Sequence, residues 1–173
     1  GLRDKALKAI DNTDFYPSKG KERIKSMIET RPDWCVSRQR VWGVPLPIFI
    51  SKKTGDVLVD DEVFENIAKI YEKEGSDCWF NDDYQIFLGD KYKAEDYEKL
   101  SDIVEVWFDS GSTHSFVLEK RDDLKWPASM YLEGSDQHRG WFHSSLLESC
   151  GTRGVAPFES ILSHGFVVDG KGL

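Results

Sequence analysis

The sequence has no long apolar run and little cysteine. No stretch approaches the ~20 consecutive apolar residues that a transmembrane helix needs, and no signal peptide is visible. Cys35, Cys78 and Cys150 are far apart and form no C-x-x-C pair, which argues against a disulfide framework and against a structural zinc site. We therefore expect a cytoplasmic chain with reduced thiols and no membrane contact.

The sequence also lacks a phosphate-binding loop of the form G-x-x-x-x-G-K-S/T, which argues against a nucleotide hydrolase that depends on one. Internal repeats and low-complexity segments are missing as well. At 173 residues the chain should bury roughly two thirds of its unfolded surface, so we expect one domain with an insertion. Because there is no initiator methionine, we also expect a piece of a longer protein.

The net charge of -8 is unevenly distributed along the chain. Residues 56–105 carry sixteen acidic and five basic side chains, a balance of -11, which leaves +3 for the remainder. Any contact with nucleic acid is therefore expected from the basic stretch 19–40 rather than from the acidic middle.

The first hundred residues show three helical patterns and one hairpin pattern. Apolar residues recur with helical spacing, and proline or glycine marks the turns between the patterns. The predicted helices cover residues 3–10, 19–29 and 61–74, and the predicted hairpin strands cover residues 48–50 and 57–59. The changeable, acidic composition that surrounds the hairpin indicates an insertion carried on a core.

The last seventy residues predict an α/β fold with parallel strands. Residues 103–108 are strongly strand-like, and two further strands, 129–132 and 161–168, enclose a helix predicted at 137–150. This order gives a βαβ unit, for which a right-handed crossover is expected. Open sheets of this kind bind ligands at the carboxyl ends of their strands.

The turn between the second of these strands and the helix is dense in polar groups. Gly134 permits a tight turn, Ser135 or Asp136 can cap the helix, and Glu133 and Gln137 lie beside them. Backbone N–H groups at a helix start favour anionic ligands. The corner could hold a nucleotide, an amino acid or both, although a Gly-Ser-Asp turn is also common as simple capping chemistry.

Several strings of residues together resemble one family. W-C-V-S-R-Q-R-V-W-G-V-P at 34–45 resembles a string of the large class I aminoacyl-tRNA synthetases. V-W-F-D-S-G-S at 106–112 and E-G-S-D-Q-H-R-G-W-F at 133–142 resemble the isoleucyl type in particular. D-N-T-D-F at 11–15 and H-G-F-V-V-D-G at 164–170 also fit the bacterial isoleucyl type. The match is weakest in the acidic insertion.

The resemblance implies a half-site for the aminoacyl adenylate. Glu133 is similar to the family's acidic contact, where a carboxylate can hold the ammonium group or a ribose hydroxyl. Asp136 and Gln137 match polar contacts to ribose or amino acid, and two indoles match apolar walls around the amino-acid side chain. The implied contacts to the adenylate are Glu133, Gly134, Asp136, Gln137, Trp141 and Trp107, and those to the nucleotide are His164, Gly165 and Val167.

No metal site is expected in this chain. His138 and His143 are five residues apart on the predicted helix and therefore fall on different faces. Relatives that bind zinc in the insertion carry cysteine pairs around the hairpin. In this chain residues 51–54 contain no cysteine, and Cys78 is the single cysteine of the insertion. Packing is expected to replace the metal.

The resemblance implies a fold, a reaction and a set of partners. The fold is the second half of a class I synthetase Rossmann-type nucleotide-binding fold with an inserted α+β connective segment. Residues 1–47 would re-enter the catalytic core after an editing domain, residues 48–102 would form the acidic insertion, and residues 103–173 would complete the core. The longer protein would use L-isoleucine, ATP with Mg²⁺ and tRNA(Ile).

Two signature elements of the family, an H-I-G-H helix start and a K-M-S-K-S loop, do not occur in this sequence. We therefore expect the isolated chain to be catalytically inert and not to bind tRNA tightly by itself. The alternative that remains is a Rossmann-type binding or structural module without ligase activity, for which the two signatures would be naturally missing.

Overall fold

The computed structural model describes residues 1–172, which divide into two compact units. The core unit comprises residues 1–35 together with those from 106 onward, and the acidic unit comprises residues 36–105. The helices are α1 (Leu2–Asp11), α2 (Lys19–Glu29), α3 (Asp61–Glu74), α4 (Gln85–Leu88), α5 (Val106–Gly111) and α6 (Trp141–Thr152). The strands are β1 (Asp14–Tyr16), β2 (Ser37–Arg38), β3 (Phe49–Ser51), β4 (Tyr97–Lys99), β5 (Ile103–Val104), β6 (Tyr131–Gly134) and β7 (Ser160–His164).

The core unit is built on a three-stranded parallel sheet in the order β1-β7-β6. Tyr131 of β6 pairs with Ile161 of β7, and Gly134 pairs with His164, so the two strands end together. Helix α6 connects them, which gives the predicted βαβ unit. The prediction of an α/β fold with parallel strands is confirmed.

Helix α6 carries much of the core of this unit. Phe142, Leu146 and Cys150 are spaced four residues apart, so they share one side of the helix, and all three are fully buried. They pack in one cluster with Ile10 of α1 and Ile24 of α2. Four polar residues of α6 are buried as well, namely His143, Ser144, Ser145 and Ser149, which shows that the helix is enclosed on more than one side.

The acidic unit has its own aromatic core. Trp79 is fully buried, and its ring centroid lies 5.0 Å from those of both Phe49 and Phe87. The Lys99 ammonium donates hydrogen bonds to the carbonyl oxygens of Trp79 and Asn81. The same ammonium lies over the ring of Trp79, so Lys99 contacts both the backbone and the aromatic face of this residue.

Two of the three predicted helices have the predicted bounds, 19–29 and 61–74. The predicted hairpin is present, since Ile50 pairs antiparallel with Val57 and the Leu58 N–H donates to the Phe49 carbonyl oxygen. Strand β3 also pairs antiparallel with β4, a distant partner that the sequence did not indicate. Packing of Phe49 against Trp79 of the 76–80 turn accompanies this second pairing.

The predicted strand 103–108 is wrong beyond its second residue. β5 ends at Val104, the Glu105 N–H donates to the carbonyl oxygen of Val36, and helix α5 begins at Val106. Short apolar runs do not distinguish a strand from a buried helix by periodicity. The Ser112 N–H bond to the Phe108 carbonyl oxygen is a helical contact that the β-forming side chains do not prevent.

The remaining differences lie at element ends. Residues 135–138 form a separate 3-10 turn, and α6 begins at Trp141 instead of Gln137 because Gly140 interrupts the helical path. β7 ends at His164 rather than at residue 168. Strand β1 has no counterpart among the predicted elements, and it is specified by its pairing with β7.

The boundaries of the two structural units do not coincide with the three predicted segments. The acidic unit begins at Val36, twelve residues before the predicted insertion, and ends at Glu105. Position 173 of the third predicted segment lies outside the described residues. Within residues 1–172 no helix is both long and apolar enough to cross a membrane.

Candidate functional site at the carboxyl edge of the parallel sheet

The carboxyl ends of β6 and β7 bring the first three candidate residues together. Glu133 is the penultimate residue of β6, and its side chain is exposed at this edge. Gly134 pairs with His164, the last residue of β7. The Glu133 carboxylate accepts a hydrogen bond from the Gly134 N–H at 3.2 Å, which leaves acceptor capacity for a ligand.

Asp136 and Gln137 follow in the 3-10 turn and bond to each other. The Gln137 Nε2 donates to Asp136 Oδ2 at 3.0 Å, and the Trp141 N–H donates to Gln137 Oε1 at 2.9 Å. Gln137 therefore holds Asp136 against the start of α6. Asp136 also faces Gly134, since a Cβ on that glycine would lie 2.5 Å from Asp136 Oδ1. Glycine is required there for the carboxylate to approach so closely.

Trp107 reaches the same corner from helix α5. A Cβ on Gly140 would lie 3.1 Å from Trp107 Cζ3 and 2.4 Å from Gln137 Oε1. The indole and the amide therefore meet over one glycine at the turn that precedes α6. Trp107 is 44% exposed, so part of its ring remains open to solvent.

Trp141 is more firmly built into the core unit than Trp107. Its indole N–H donates to the Ser110 carbonyl oxygen at 3.0 Å. Its ring stacks in parallel on Tyr131, with 4.0 Å between ring centroids. Burial raises the pKa of Tyr131 to about 12, so the phenol is neutral and the pair forms an apolar wall. One face of the Trp141 ring is consequently covered.

The three residues predicted to contact the nucleotide lie at the end of β7 and just after it. His164 is exposed, and its Nδ1 lies 2.6 Å from the Gly165 carbonyl oxygen. Val167 is 91% exposed and lies beyond the strand. The Cε1 of His164 would be 3.9 Å from a Cβ on Gly134, so the imidazole flanks the same glycine as Asp136.

The structure thus gathers Glu133, Gly134, Asp136, Gln137, Trp107 and His164 around one edge of the sheet, with Trp141 behind them in the wall. Their roles in ligand binding stay a prediction. Gly140 was missed as a candidate, although its lack of a side chain is what allows Trp107 and Gln137 to meet.

The histidines of this region are held by packing. His138 is buried, its Nδ1 lies 2.7 Å from the Ser135 carbonyl oxygen, and a Cβ on Gly20 would lie 2.8 Å from its Nε2. His143 instead lies 3.3 Å from the Arg31 guanidinium. Among residues 1–172 no group of three or more His, Cys, Asp or Glu side chains could hold a metal ion.

Comparison with known proteins shows the family to which the chain belongs. A sequence profile of the family described as tRNA synthetases class I (I, L, M and V) matches residues 1–173. The chain belongs to this family. A parallel sheet with polar residues at its carboxyl edge is consistent with the Rossmann-like fold expected for a part of a class I synthetase.

Relatives within the family are named isoleucine–tRNA ligases. The chain is 84% identical over 173 residues to the ligase of Pelagibacter ubique (strain HTCC1062), covering 100% of this chain and 19% of the relative. It is 58% identical over 171 residues to that of Zymomonas mobilis subsp. mobilis, covering 99% of this chain and 18% of the relative. It is 54% identical over 177 aligned positions to that of Caldicellulosiruptor bescii, covering 99% of this chain and 19% of the relative. The class I synthetase chain thus spans about a fifth of the length of these proteins.

Proposed function

We propose that this chain forms part of an isoleucine–tRNA ligase and contributes one half of its aminoacyl-adenylate site. In the proposed reaction the isoleucine carboxylate attacks the α-phosphate of ATP and pyrophosphate leaves. The aminoacyl group then passes from the adenylate to tRNA(Ile), and AMP leaves. The names of the similar ligases support this proposal. Rate enhancement would come from positioning and charge stabilisation, without a covalent enzyme nucleophile.

The observation that carries the proposal is the position of Glu133. Its carboxylate is exposed at the carboxyl end of β6, where parallel α/β sheets bind their ligands. It has no ion-pair partner among residues 1–172 and only one hydrogen bond, to an adjacent backbone N–H. A charge-assisted hydrogen bond to the substrate ammonium group or to a ribose hydroxyl is the contact that this arrangement supports.

Gln137 acts as a positioning residue in this proposal. Both ends of its amide are engaged within the chain, on Asp136 and on the Trp141 N–H, so its contribution is to orient the Asp136 carboxylate. The second Asp136 oxygen is directed toward Gly134 and would meet ribose or amino acid there. His164, Gly165 and Val167 would lie along the nucleotide.

Trp107 and Trp141 would form the apolar walls around the isoleucine side chain. The ring of Trp141, fixed by stacking on Tyr131, provides a rigid wall, and the partly open ring of Trp107 provides an accessible one. Such walls exclude bulky side chains, whereas one methylene is worth only about 1–3 kcal/mol, so isoleucine and valine are poorly separated. A separate editing step in the longer protein would account for fidelity.

The proposed partners are L-isoleucine, ATP with Mg²⁺ and tRNA(Ile), and the proposed compartment is the cytoplasm. Mg²⁺ would accompany the ATP phosphates, and we assign it no side chain of this chain. Cys78 and Cys150 are buried thiols, in keeping with a reducing compartment. By itself the 173-residue chain is proposed to be inactive and to bind tRNA weakly, since its net charge is -8.

We also propose that the acidic segment is an insertion in the catalytic core. A separate aromatic core between residues 36 and 105 supports this division. In this proposal residues 1–47 re-enter the catalytic core after an editing domain, residues 48–102 are the insertion, and the remainder completes the nucleotide-binding half.

Replacing Glu133 with alanine in a ligase that contains this chain should slow isoleucyl-adenylate formation at least tenfold. The reason is that a hydrogen bond to a charged group is worth roughly 1.5–3 kcal/mol. Isoleucine-dependent exchange of pyrophosphate into ATP measures the step. Exchange rates equal to those of the unmodified ligase would contradict the proposed contact.

Glu159→Ala provides a matched control at the opposite end of the sheet. Glu159 is also exposed, but it precedes β7 and its carboxylate pairs with Lys125 at 2.6 Å on the surface. Surface ion pairs of this kind contribute about 0–1 kcal/mol to stability, so exchange should stay unchanged.

Exchange with valine in the same assay measures the weak side-chain discrimination. If the unmodified longer protein exchanged pyrophosphate with neither amino acid, the result would favour the alternative, a Rossmann-type binding module without ligase activity.

A further inference from the structure

The core unit contains a cavity that shares no lining residue with the candidate adenylate site. Its volume is about 650 Å³, within the usual size range of small-molecule pockets. The wall comes from the start of α1, the segment after α2, the end of α5 and the second half of α6. Its largely apolar lining includes Leu2, Ile28, Trp34, Phe108 and Leu147, with Glu148 as an acidic member.

Glu148 has no partner for either carboxyl oxygen among the described residues. Both oxygens are buried and lack a hydrogen bond. Oε1 is turned onto the backbone of α5, since a Cβ on Gly111 would lie only 2.2 Å from it. A buried carboxyl group without a hydrogen bond is costly, and native structures satisfy most such groups. Because this resting position offers no hydrogen bond, turning the carboxylate toward the cavity would break none.

The positive charges around the cavity do not neutralise Glu148. Arg153 pairs with Glu119, and Arg3 donates to the Arg31 carbonyl oxygen. Arg31 lies against His143 and over the Trp34 ring. Burial, together with the charge of Asp109, raises the pKa of Glu148 to about 8, and no arginine opposes this shift. Among residues 1–172 Glu148 therefore has no cationic partner.

We propose that this cavity binds a ligand with one basic group on an apolar body, such as an amidinium or ammonium on a ring or branched chain, through an ion pair with Glu148. The apolar lining accommodates the body, and the carboxylate gains the partner that it lacks. The proposal does not depend on the function proposed above. The basic group can come from a free small molecule or from a side chain elsewhere in a longer ligase.

Benzamidine is the probe, and benzamide is its neutral counterpart of nearly the same shape. Calorimetry on the 173-residue chain at pH 8 should show benzamidine binding at least tenfold more tightly than benzamide. Glu148→Gln should remove that preference by weakening benzamidine alone. The comparison of the two ligands on the unmodified chain remains decisive even if the variant folds poorly. Equal affinities for benzamidine and benzamide would overturn the proposal.

Binding should also strengthen as the pH rises from 6 toward 8, because the cation requires an ionised Glu148 and displaces its proton. Below pH 8 each bound benzamidine should release close to one proton, measured by calorimetry in buffers of different ionisation enthalpy. The other charged or titratable groups at the cavity and beside Glu148 are Arg3, Arg31, Asp33, Asp109, His114 and Arg153. Proton release unchanged by Glu148→Gln would contradict the assignment.

The same titration on a ligase that contains the chain identifies the source of the basic group. Benzamidine binding to both proteins supports a small-molecule site. Binding to the 173-residue chain alone, together with a lower melting temperature of the Glu148→Gln ligase, supports a basic side chain already paired with Glu148. Absence of specific binding to the 173-residue chain would overturn the proposal for either source.

Discussion

Replacing Phe142 with alanine is expected to lower the free energy of unfolding of the core unit by about 3–5 kcal/mol, the range for truncating a buried aromatic side chain. Phe142 is fully buried and packs in one cluster with residues from α1, α2 and the sheet. Its ring meets the edge of His138 at 5.4 Å between centroids. The truncation therefore removes contacts that join α6 to the turn carrying Asp136 and Gln137.

The measurement is hydrogen–deuterium exchange of core-unit amides in increasing urea, which separates this unit from the acidic one. Phe166→Ala is the matched control, because the same side chain is 79% exposed there and its loss should change stability by no more than about 0.5 kcal/mol. A similar loss in both variants would show that the α6 cluster does not hold the unit together.

The importance of Phe142 was visible in the sequence because helical spacing places it beside Leu146 and Cys150. The parallel βαβ unit was predictable for the same reason, since two apolar runs enclose one periodic helix. Helices 19–29 and 61–74 were predictable from their apolar stripes and their flanking turns. These are local signals, and each one agrees with the tertiary structure.

The failures share a different cause, which is dependence on distant partners. β1 has three residues and is specified by β7, nearly 150 positions later. β3 pairs with β4 across the insertion, in addition to its predicted contact with the nearby segment. Residues 106–108 have side chains typical of strands, but the backbone pairing ends at Glu105, and only the rest of the fold determines that a helix follows.

For the candidate site, sequence strings predicted the residues, whereas the close approaches among them depend on three glycines that the strings did not explain. Gly134 and Gly140 allow Asp136, Trp107 and Gln137 to approach the backbone, and Gly20 admits His138. The burial of Glu148 had no signal in the sequence, because an acidic residue on a helix is usually solvated. Its position became apparent only from the packing of α6 against α5.

Acidification is expected to destabilise the core unit by about 3 kcal/mol through His143 alone. The side chain is only 3% exposed, and burial, with the positive charge of Arg31, lowers the pKa of His143 to about 4 from 6.5. Above pH 6.5 the imidazole is neutral in the folded and the unfolded chain. As the pH falls from 6.5 to 4, the unfolded chain binds a proton that the folded chain excludes, so stability is lost across that window.

Buried His114 and His138 add to this loss, because burial lowers the pKa of each. Urea unfolding of the core unit at pH 7 and pH 4 measures the total. In His143→Gln the difference between the two pH values should shrink by about 3 kcal/mol. If His143→Gln and the unmodified chain lost equal stability, protonation of His143 would not be what limits the fold in acid.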